Sequence, residues 1–384
     1  MNLALLTDRP HSNYGAELNL LALGDLCQAA GHRVTAVSIA SGVFLEEAAT
    51  RGFEPLLVPL PERLASITTG GLRATPATLA RMAVFGAQLH QHLHRADMDV
   101  VVTSSTRAAA MMWPGRLRAP GLVWYAQMLT RPSGASAAAA AAAGHIALIA
   151  PGVERSIPQP LQWLRRRRTA VLPPWRDVAA YAVPGRTRRT TKTELSVVTV
   201  GKVTPRKGIR LLIDAAALAG DRGCSVTITV VGAPSGPADE TYADEARRRA
   251  QELGVTVNWA GWQDDVAPFL SDADVFALVS DREGLPGAAL EAMAAGLAVL
   301  VTDTGPIADL VRSTGSGVVV EQGDVSAVAA RLVDLTTDPD ATATMGQRGA
   351  YAAESFSPEA TDAAFGAILN LMSPRSSRSF GAVR

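Results

Sequence analysis

Asp281-Arg282-Glu283-Gly284-Leu285-Pro286-Gly287-Ala288-Ala289-Leu290-Glu291-Ala292-Met293-Ala294-Ala295-Gly296 is the stretch around which the chain is organised. It follows a short apolar run, Asp274-Val275-Phe276-Ala277-Leu278-Val279, which reads as a buried strand. Pro286 is suited to start a helix, because a first helical turn leaves its N–H groups unused anyway. The stretch is therefore a strand–loop–helix junction, with Glu283 on the loop and Glu291 inside the first turns of the helix. Free backbone N–H groups meet the positive end of a helix dipole there, which makes the loop a seat for phosphate. A carboxylate beside such a seat is repelled by the phosphate unless it has a partner of its own, and sugar hydroxyls are such partners. Two carboxylates flanking one seat point to a diphosphate with a hydroxyl-bearing ring at each end.

Upstream, Leu195–Val200 reads as a strand, and Gly201-Lys202-Val203-Thr204-Pro205-Arg206-Lys207-Gly208 leads from it into a helix over Ile209–Ala219. Three cations between glycines at a strand-to-helix turn suit a diphosphate. The order of residues is not that of a Walker loop. Strands over Ser225–Val231, Val255–Trp259, Leu297–Val301 and Gly317–Val320 complete a six-stranded parallel sheet in this half of the chain.

The spacing of Glu283 and Glu291, with Gly-Leu-Pro after the first and Ala-Met-Ala-x-Gly after the second, resembles the signature of the retaining GT-B glycosyltransferases of group 1 (family 4 type). The Gly201–Gly208 turn resembles the same family's Gly-Arg-x-x-x-x-Lys-Gly, with Lys207 at the family lysine and Lys202 where arginine is usual. The resemblance implies an α/β fold of two Rossmann-like doubly wound domains facing a cleft. It implies that Glu283 holds donor-sugar hydroxyls and Glu291 the ribose, and that the backbone at Gly284 and Leu285 faces the sugar and diphosphate. Lys202, Arg206 and Lys207 on one side, and the helix start at Pro286 and Gly287 on the other, would hold the diphosphate. Gly232 and the Trp262-Gln263 loop would pass the nucleotide base. Lys207, Glu283 and Gln127 are the candidate catalytic residues.

The N-terminal half carries the same alternation of strand and helix: strands over Asn2–Leu6, Arg33–Ile39, Glu54–Val58, Asp99–Thr103, Gly121–Tyr125, Ile146–Ile149 and Thr169–Leu172. The G-x-G-x-x-G of dinucleotide enzymes is absent; Asn13-Tyr14-Gly15 stands at the first turn, which the resemblance places near phosphates and acceptor. Many family members have a histidine near the end of the fifth strand. Here Trp124-Tyr125-Ala126-Gln127 occupies it, and Gln127 is left to hydrogen-bond a reacting hydroxyl, since an amide takes no proton at neutral pH. The boundaries expected are an acceptor-binding domain over 1–185, a nucleotide-sugar-binding domain over 186–356, a helix over 357–372 crossing back, and a disordered tail over 373–384. The loop over 60–80, with Arg63 and Arg73, reads as a solvated surface.

The chain has 384 residues, enough for two domains, and a formal net charge of +0, which favours neither nucleic acid nor an anionic membrane as an obligate partner. The run Arg165–Arg168 has no aromatic stacking set beside it and reads as a solvated surface. His90 and His94 share a helix face but lack companion ligands, so a surface cluster is expected and no metal site. The alanine run Ala137–Ala143 reads as a packed helix. Cys27 and Cys224 read as separate buried thiols in a cytoplasmic protein. No signal peptide or membrane span is read.

The resemblance implies a retaining transferase, and the fixed cations lead to the expectation that it is metal-independent and needs no cofactor. It would take a nucleotide-diphosphate sugar as donor and a small-molecule or lipid-linked acceptor. The alternatives are a GT-B nucleotide-sugar epimerase or hydrolase, and a non-catalytic sugar-nucleotide-binding subunit.

Overall fold

A computed structural model of the chain describes residues 1–9, 15–61, 76–112, 121–183 and 193–372. The chain divides into two compact units, Met1–Pro173 with Glu359–Arg384, and Pro174–Pro358. The division thus falls ahead of the 185/186 boundary read from composition. The reason is local packing: the segment after Pro173 lies against elements of the second unit, with the Arg176 amide donating to Phe356 O at 3.1 Å. At the other end Glu359 onward groups with the first unit, where the Thr361 hydroxyl donates to Pro173 O at 3.3 Å. The tail over 373–384, the Asn13-Tyr14 pair, Arg63 and Arg73 lie outside the described residues.

Among the described residues the first unit holds a seven-stranded parallel sheet in the order β3-β2-β1-β4-β5-β6-β7. Its strands are β1 (Asn2–Thr7), β2 (Arg33–Ser38), β3 (Glu54–Leu57), β4 (Val100–Thr103), β5 (Gly121–Ala126), β6 (His145–Leu148) and β7 (Thr169–Val171). In register, Leu5 faces Ala36 on one side and Val102 on the other. The second unit holds a six-stranded parallel sheet in the order β10-β9-β8-β11-β12-β13. These strands are β8 (Glu194–Val200), β9 (Ser225–Val231), β10 (Thr256–Gly261), β11 (Val275–Leu278), β12 (Ala298–Thr302) and β13 (Gly317–Val320). Every residue of β11 and β12 is buried, as expected of central strands covered by helices on both faces.

The helix Ile209–Gly220 shows why the sequence folds this way. Ile209, Leu212, Ile213, Ala216 and Ala219 recur at helical spacing and are all buried against Val197, Ile228 and Leu300. Each fully buried Leu or Ile contributes roughly 1.5–3 kcal/mol. Both sheets reverse strand order at one point, β1/β4 in the first and β8/β11 in the second. In open α/β sheets ligands bind outside the carboxyl ends of the strands at that reversal.

Three features differ from or refine the sequence reading. The alanine run forms the helix Gly134–Ala142, opened by a reciprocal Ser133–Ser136 capping box, with Ala139 and Ala140 fully buried. Arg165 is not solvated: it is buried, and its guanidinium donates to Ala141 O and Ala143 O, capping the carbonyl end of that helix. Arg166, Arg167 and Arg168 are exposed. His90 is buried on the helix Pro76–Arg95, while His92 and His94 are exposed, so the three do not form one surface cluster. Cys27 and Cys224 are buried and unbridged, and burial pushes the Cys27 thiol up to about 12.

Candidate functional site

The second unit brings the two motifs together at the β8/β11 reversal. After β8, Pro205–Lys207 makes a single 3-10 turn that Gly208 ends with a left-handed φ of 69°. A Cβ on Gly208 would lie 2.1 Å from Val279 O, so only glycine lets this turn rest on the exit of β11. The Asp281 amide donates to Arg206 O at 2.9 Å and zips the two loops together. Gly232, at the end of β9, has a φ of 143°, and a Cβ there would meet Gly201 O at 1.9 Å. Glycines thus let three strand exits converge.

Glu283 lies in that convergence. Its Oε1 accepts from Lys207 Nζ at 2.8 Å and from Arg206 Nη1 at 3.1 Å. Arg206 Nη1 also donates to Arg282 O at 2.7 Å. Lys207 and Glu283 are largely shielded, with 12% and 9% of their side chains exposed, whereas Arg206 is 41% exposed. The second oxygen of Glu283, Oε2, takes no hydrogen bond among the described residues. Lys202 pairs elsewhere, its Nζ 3.7 Å from Asp239 Oδ2.

The helix Gly287–Ala294 starts one residue later than Pro286, which stands at the N-cap in an extended conformation. Gly284 O accepts from the Ile307 amide at 3.1 Å, and the Leu285 side chain is buried, so that loop is braced from below. Glu291 projects from this helix, and Oε1 lies 3.3 Å from Arg176 Nε. Burial pushes the Glu291 carboxyl above the usual range, and the Arg176 charge pulls it back in part. Arg176 escaped the sequence reading, as did its contact with Gly287, where a Cβ would meet Nη2 at 2.1 Å.

Each base-loop candidate is held by a near neighbour in the chain. Trp262 is 60% exposed with Nε1 donating to Asp264 Oδ1 at 3.1 Å, and Gln263 Nε2 donates to Ala260 O at 2.8 Å. Gly261 turns the chain there with a φ of 71°.

In the first unit, Gly15 opens the helix Gly15–Ala29, and a Cβ there would meet nothing within 4 Å among the described residues. Gln127 is buried at the end of β5, where its Oε1 accepts from Asn19 Nδ2 at 2.7 Å and its Nε2 donates to Ala16 O at 3.2 Å. Its amide thus ties the Gly15 helix to β5, and these two bonds use one of its two N–H groups and one of its two oxygen lone pairs. At the β1/β4 reversal the structure instead places a pair that sequence reading missed, Asp8 with Arg107. Asp8 is buried, and its Oδ1 has no hydrogen-bond partner among the described residues.

Among the described residues, no group of three or more His, Cys, Asp or Glu side chains is placed to hold a metal ion. No helix among them is long and apolar enough to cross a membrane.

Comparison with known proteins agrees with this geometry. Residues 186–351 match the family described as glycosyl transferases group 1. The chain is 32% identical over 155 residues to the lipopolysaccharide core biosynthesis glycosyltransferase LpsE of Rhizobium meliloti, covering 40% of this chain and 43% of that protein. It is 30% identical over 218 residues to the D-inositol 3-phosphate glycosyltransferase of Corynebacterium glutamicum, covering 53% of this chain and 51% of that one. The matches thus span about half or less of these curated relatives. The fold as a whole superposes on Anabaena HepE in complex with UDP at a TM-score of 0.77 and 19% identity, covering 97% of this chain and 100% of that one. Residues 186–351 are thus similar to the group 1 glycosyltransferases, and the chain has the GT-B fold of the solved structures it superposes on.

Proposed function

We propose that this protein is a retaining glycosyltransferase that moves a sugar from a nucleotide-diphosphate sugar to a hydroxyl of a small-molecule or lipid-linked acceptor. The observation that carries the reading is the convergence of Lys207 and Arg206 on a buried Glu283 at the β8/β11 reversal. Both cations are already placed, and Lys207 is largely shielded from water. Glu283 keeps an oxygen in reserve for donor-sugar hydroxyls. The HepE complexes with UDP and with UDP-glucose support a nucleotide sugar as donor.

The chemistry follows from charge. As the bond between the sugar C1 and the phosphate oxygen breaks, negative charge builds on the departing diphosphate. Lys207, Arg206 and the amides at the start of the helix Gly287–Ala294 meet that charge, and they stabilise the transition state more than the ground state. The acceptor oxygen forms its bond to C1 on the face the phosphate leaves, and its proton passes to the departing phosphate oxygen. Fixed side-chain cations take the place of a metal in this scheme. Gln127 enters it as a clamp on the Gly15 helix.

Mass spectrometry of the full chain with a panel of UDP-, GDP- and TDP-sugars and hydroxyl acceptors tests the reading, with EDTA present and absent. A transfer product of retained anomeric configuration, insensitive to EDTA, is expected. An inverted product, loss of activity in EDTA, or donor consumed equally fast without acceptor overturns it.

A further inference from the structure

Arg176 belongs to neither motif, yet its placement is tightly built. Its guanidinium lies flush on the first helical residue, Gly287, where a Cβ would come within 2.1 Å of Nη2 and 2.4 Å of Nε. A cation over the first turn of a helix opposes the helix dipole. The position therefore needs compensation, and Glu291 Oε1 supplies it 3.3 Å from Nε. Two backbone bonds fix the fork: Nη1 donates to Trp175 O at 2.6 Å, and the Arg176 amide donates to Phe356 O at 3.1 Å. The buried Nε makes no hydrogen bond of its own among the described residues.

The surroundings of Glu291 leave Arg176 as its counter-charge. The flanking strands β11 and β12 are buried and apolar at this level. The helix Pro339–Ala353 packs Gly349 against Met293 on the same helix as Glu291, and its Arg348 points to Gly315. The short helix Val178–Tyr181 also packs there, opened by Asp177, whose side chain accepts from the Ala180 amide. Burial first, then Glu291, pushes the Tyr181 hydroxyl up to about 12, with Arg176 opposing the rise and Asp265 and Asp177 adding to it, so Tyr181 stays neutral. Arg176 is the one charged group that acts appreciably on Glu291 among the described residues.

We propose that Arg176 is a positioning residue for the nucleotide: seated in the notch that Gly287 leaves open, it keeps the Glu291 carboxylate charged and aimed, ready to accept hydrogen bonds from the vicinal diol of a ribose. The diol rests on the donor reading above; the hold of Arg176 on Glu291 does not. Gly287 then has a second task beside any phosphate, which is to make room for a guanidinium.

The experiment titrates the full chain carrying 13C-labelled glutamate, the Glu291 signal being the one lost in Glu291→Gln. In Arg176→Met the Glu291 midpoint rises by about one to three pH units. Gly287→Ala, which keeps the charge but displaces it, raises the midpoint too, and Arg176→Lys restores most of the wild-type value. An unmoved midpoint in both Arg176→Met and Gly287→Ala overturns the proposal. Calorimetry adds UDP, GDP and ADP, each against its 2′-deoxy form, and inorganic pyrophosphate. Arg176→Met should lose the preference for ribose while binding pyrophosphate as the wild type does. A fall in pyrophosphate affinity with the ribose preference intact would make Arg176 a phosphate ligand and overturn the positioning role. Wild-type protein that binds none of the nucleotides would defeat the donor reading, and the titration would still decide Arg176.

Discussion

Glu283 and Glu291 flank the same helix start, yet Glu283 accepts hydrogen bonds from Lys207 and Arg206, while Glu291 faces a guanidinium whose nearest nitrogen, 3.3 Å away, donates it none. Hydrogen bonds to charged groups contribute about 1.5–3 kcal/mol each. The exposures of 12% and 9% at Lys207 and Glu283 leave little solvent to screen them. The Glu283 side is therefore stiff, and its cations are poised for a phosphate that competes for them. The Glu291 side is held by charge and shape alone, and burial works against its ionisation. The first arrangement suits chemistry, where charge changes during the reaction. The second suits binding, where a carboxylate waits for hydroxyls.

The sharpest way to break this contrast is Lys207→Ala. Losing one preorganised donor to a developing oxyanion costs about 10²–10³ in turnover. The initial rate at saturating donor should fall by that much, with the nucleotide dissociation constant changed far less. A rate within a few-fold of wild type would erase the difference between the two sides.

Glu291→Gln probes the other side and should leave turnover at saturating donor nearly unchanged. Affinity for the nucleotide sugar should fall by about 10- to 100-fold, the loss of one charge-assisted contact. The pH dependence carries the sign. Because the folded Glu291 carboxyl is raised, it takes up its proton on acidification before an ordinary glutamate does. Nucleotide-sugar binding should weaken through that window in the wild type and stay flat in Glu291→Gln; the diphosphate diester itself carries no titrating proton there. Stability moves the opposite way. Between the unfolded value near 4.3 and the raised folded value, the native state binds more protons than the unfolded chain. This group therefore stabilises the fold at low pH, and that contribution is lost as pH rises through the window. Parallel losses of binding and of melting temperature on acidification would show that another group is responsible.

Much of this was legible in the sequence, and the reasons are physical. Strands buried on both faces write themselves as short apolar runs, so both sheets could be read with ends displaced by a residue or two. Positions such as Gly208 and Gly232 stand where a Cβ would strike a carbonyl, so glycine marks the loop crossing by necessity. Lys207 and Glu283 sit within recognisable loops, and only their pairing had to await the fold. Arg176 and Arg165 were hidden because their partners, Glu291 and the end of the alanine helix, come from elements distant in sequence. No periodicity announces such contacts. The contacts of Gln127 were hidden for a related reason: its partners Asn19 and Ala16 lie more than a hundred residues away in sequence.

The mildest expectation concerns Lys202, the one cation of the Gly201–Gly208 turn that does not reach Glu283. Its ammonium is 3.7 Å from Asp239, too far for a hydrogen bond, and 26% of the side chain is exposed. Ion pairs of that kind contribute about 0–1 kcal/mol. Lys202→Ala should therefore weaken nucleotide-sugar binding by no more than about five-fold, well short of the Lys207 effect. Lys202→Arg sharpens the comparison from the other direction. A planar fork can donate two parallel bonds to a phosphate where an ammonium acts as a point charge. If the Gly201–Gly208 turn faces the diphosphate, that variant should bind pyrophosphate a few-fold more tightly, and the gain should shrink at high salt as an exposed contact must. Loss of affinity in Lys202→Arg would instead place Lys202 with Asp239 as a purely structural pair, and leave the phosphate to Lys207 and Arg206 alone.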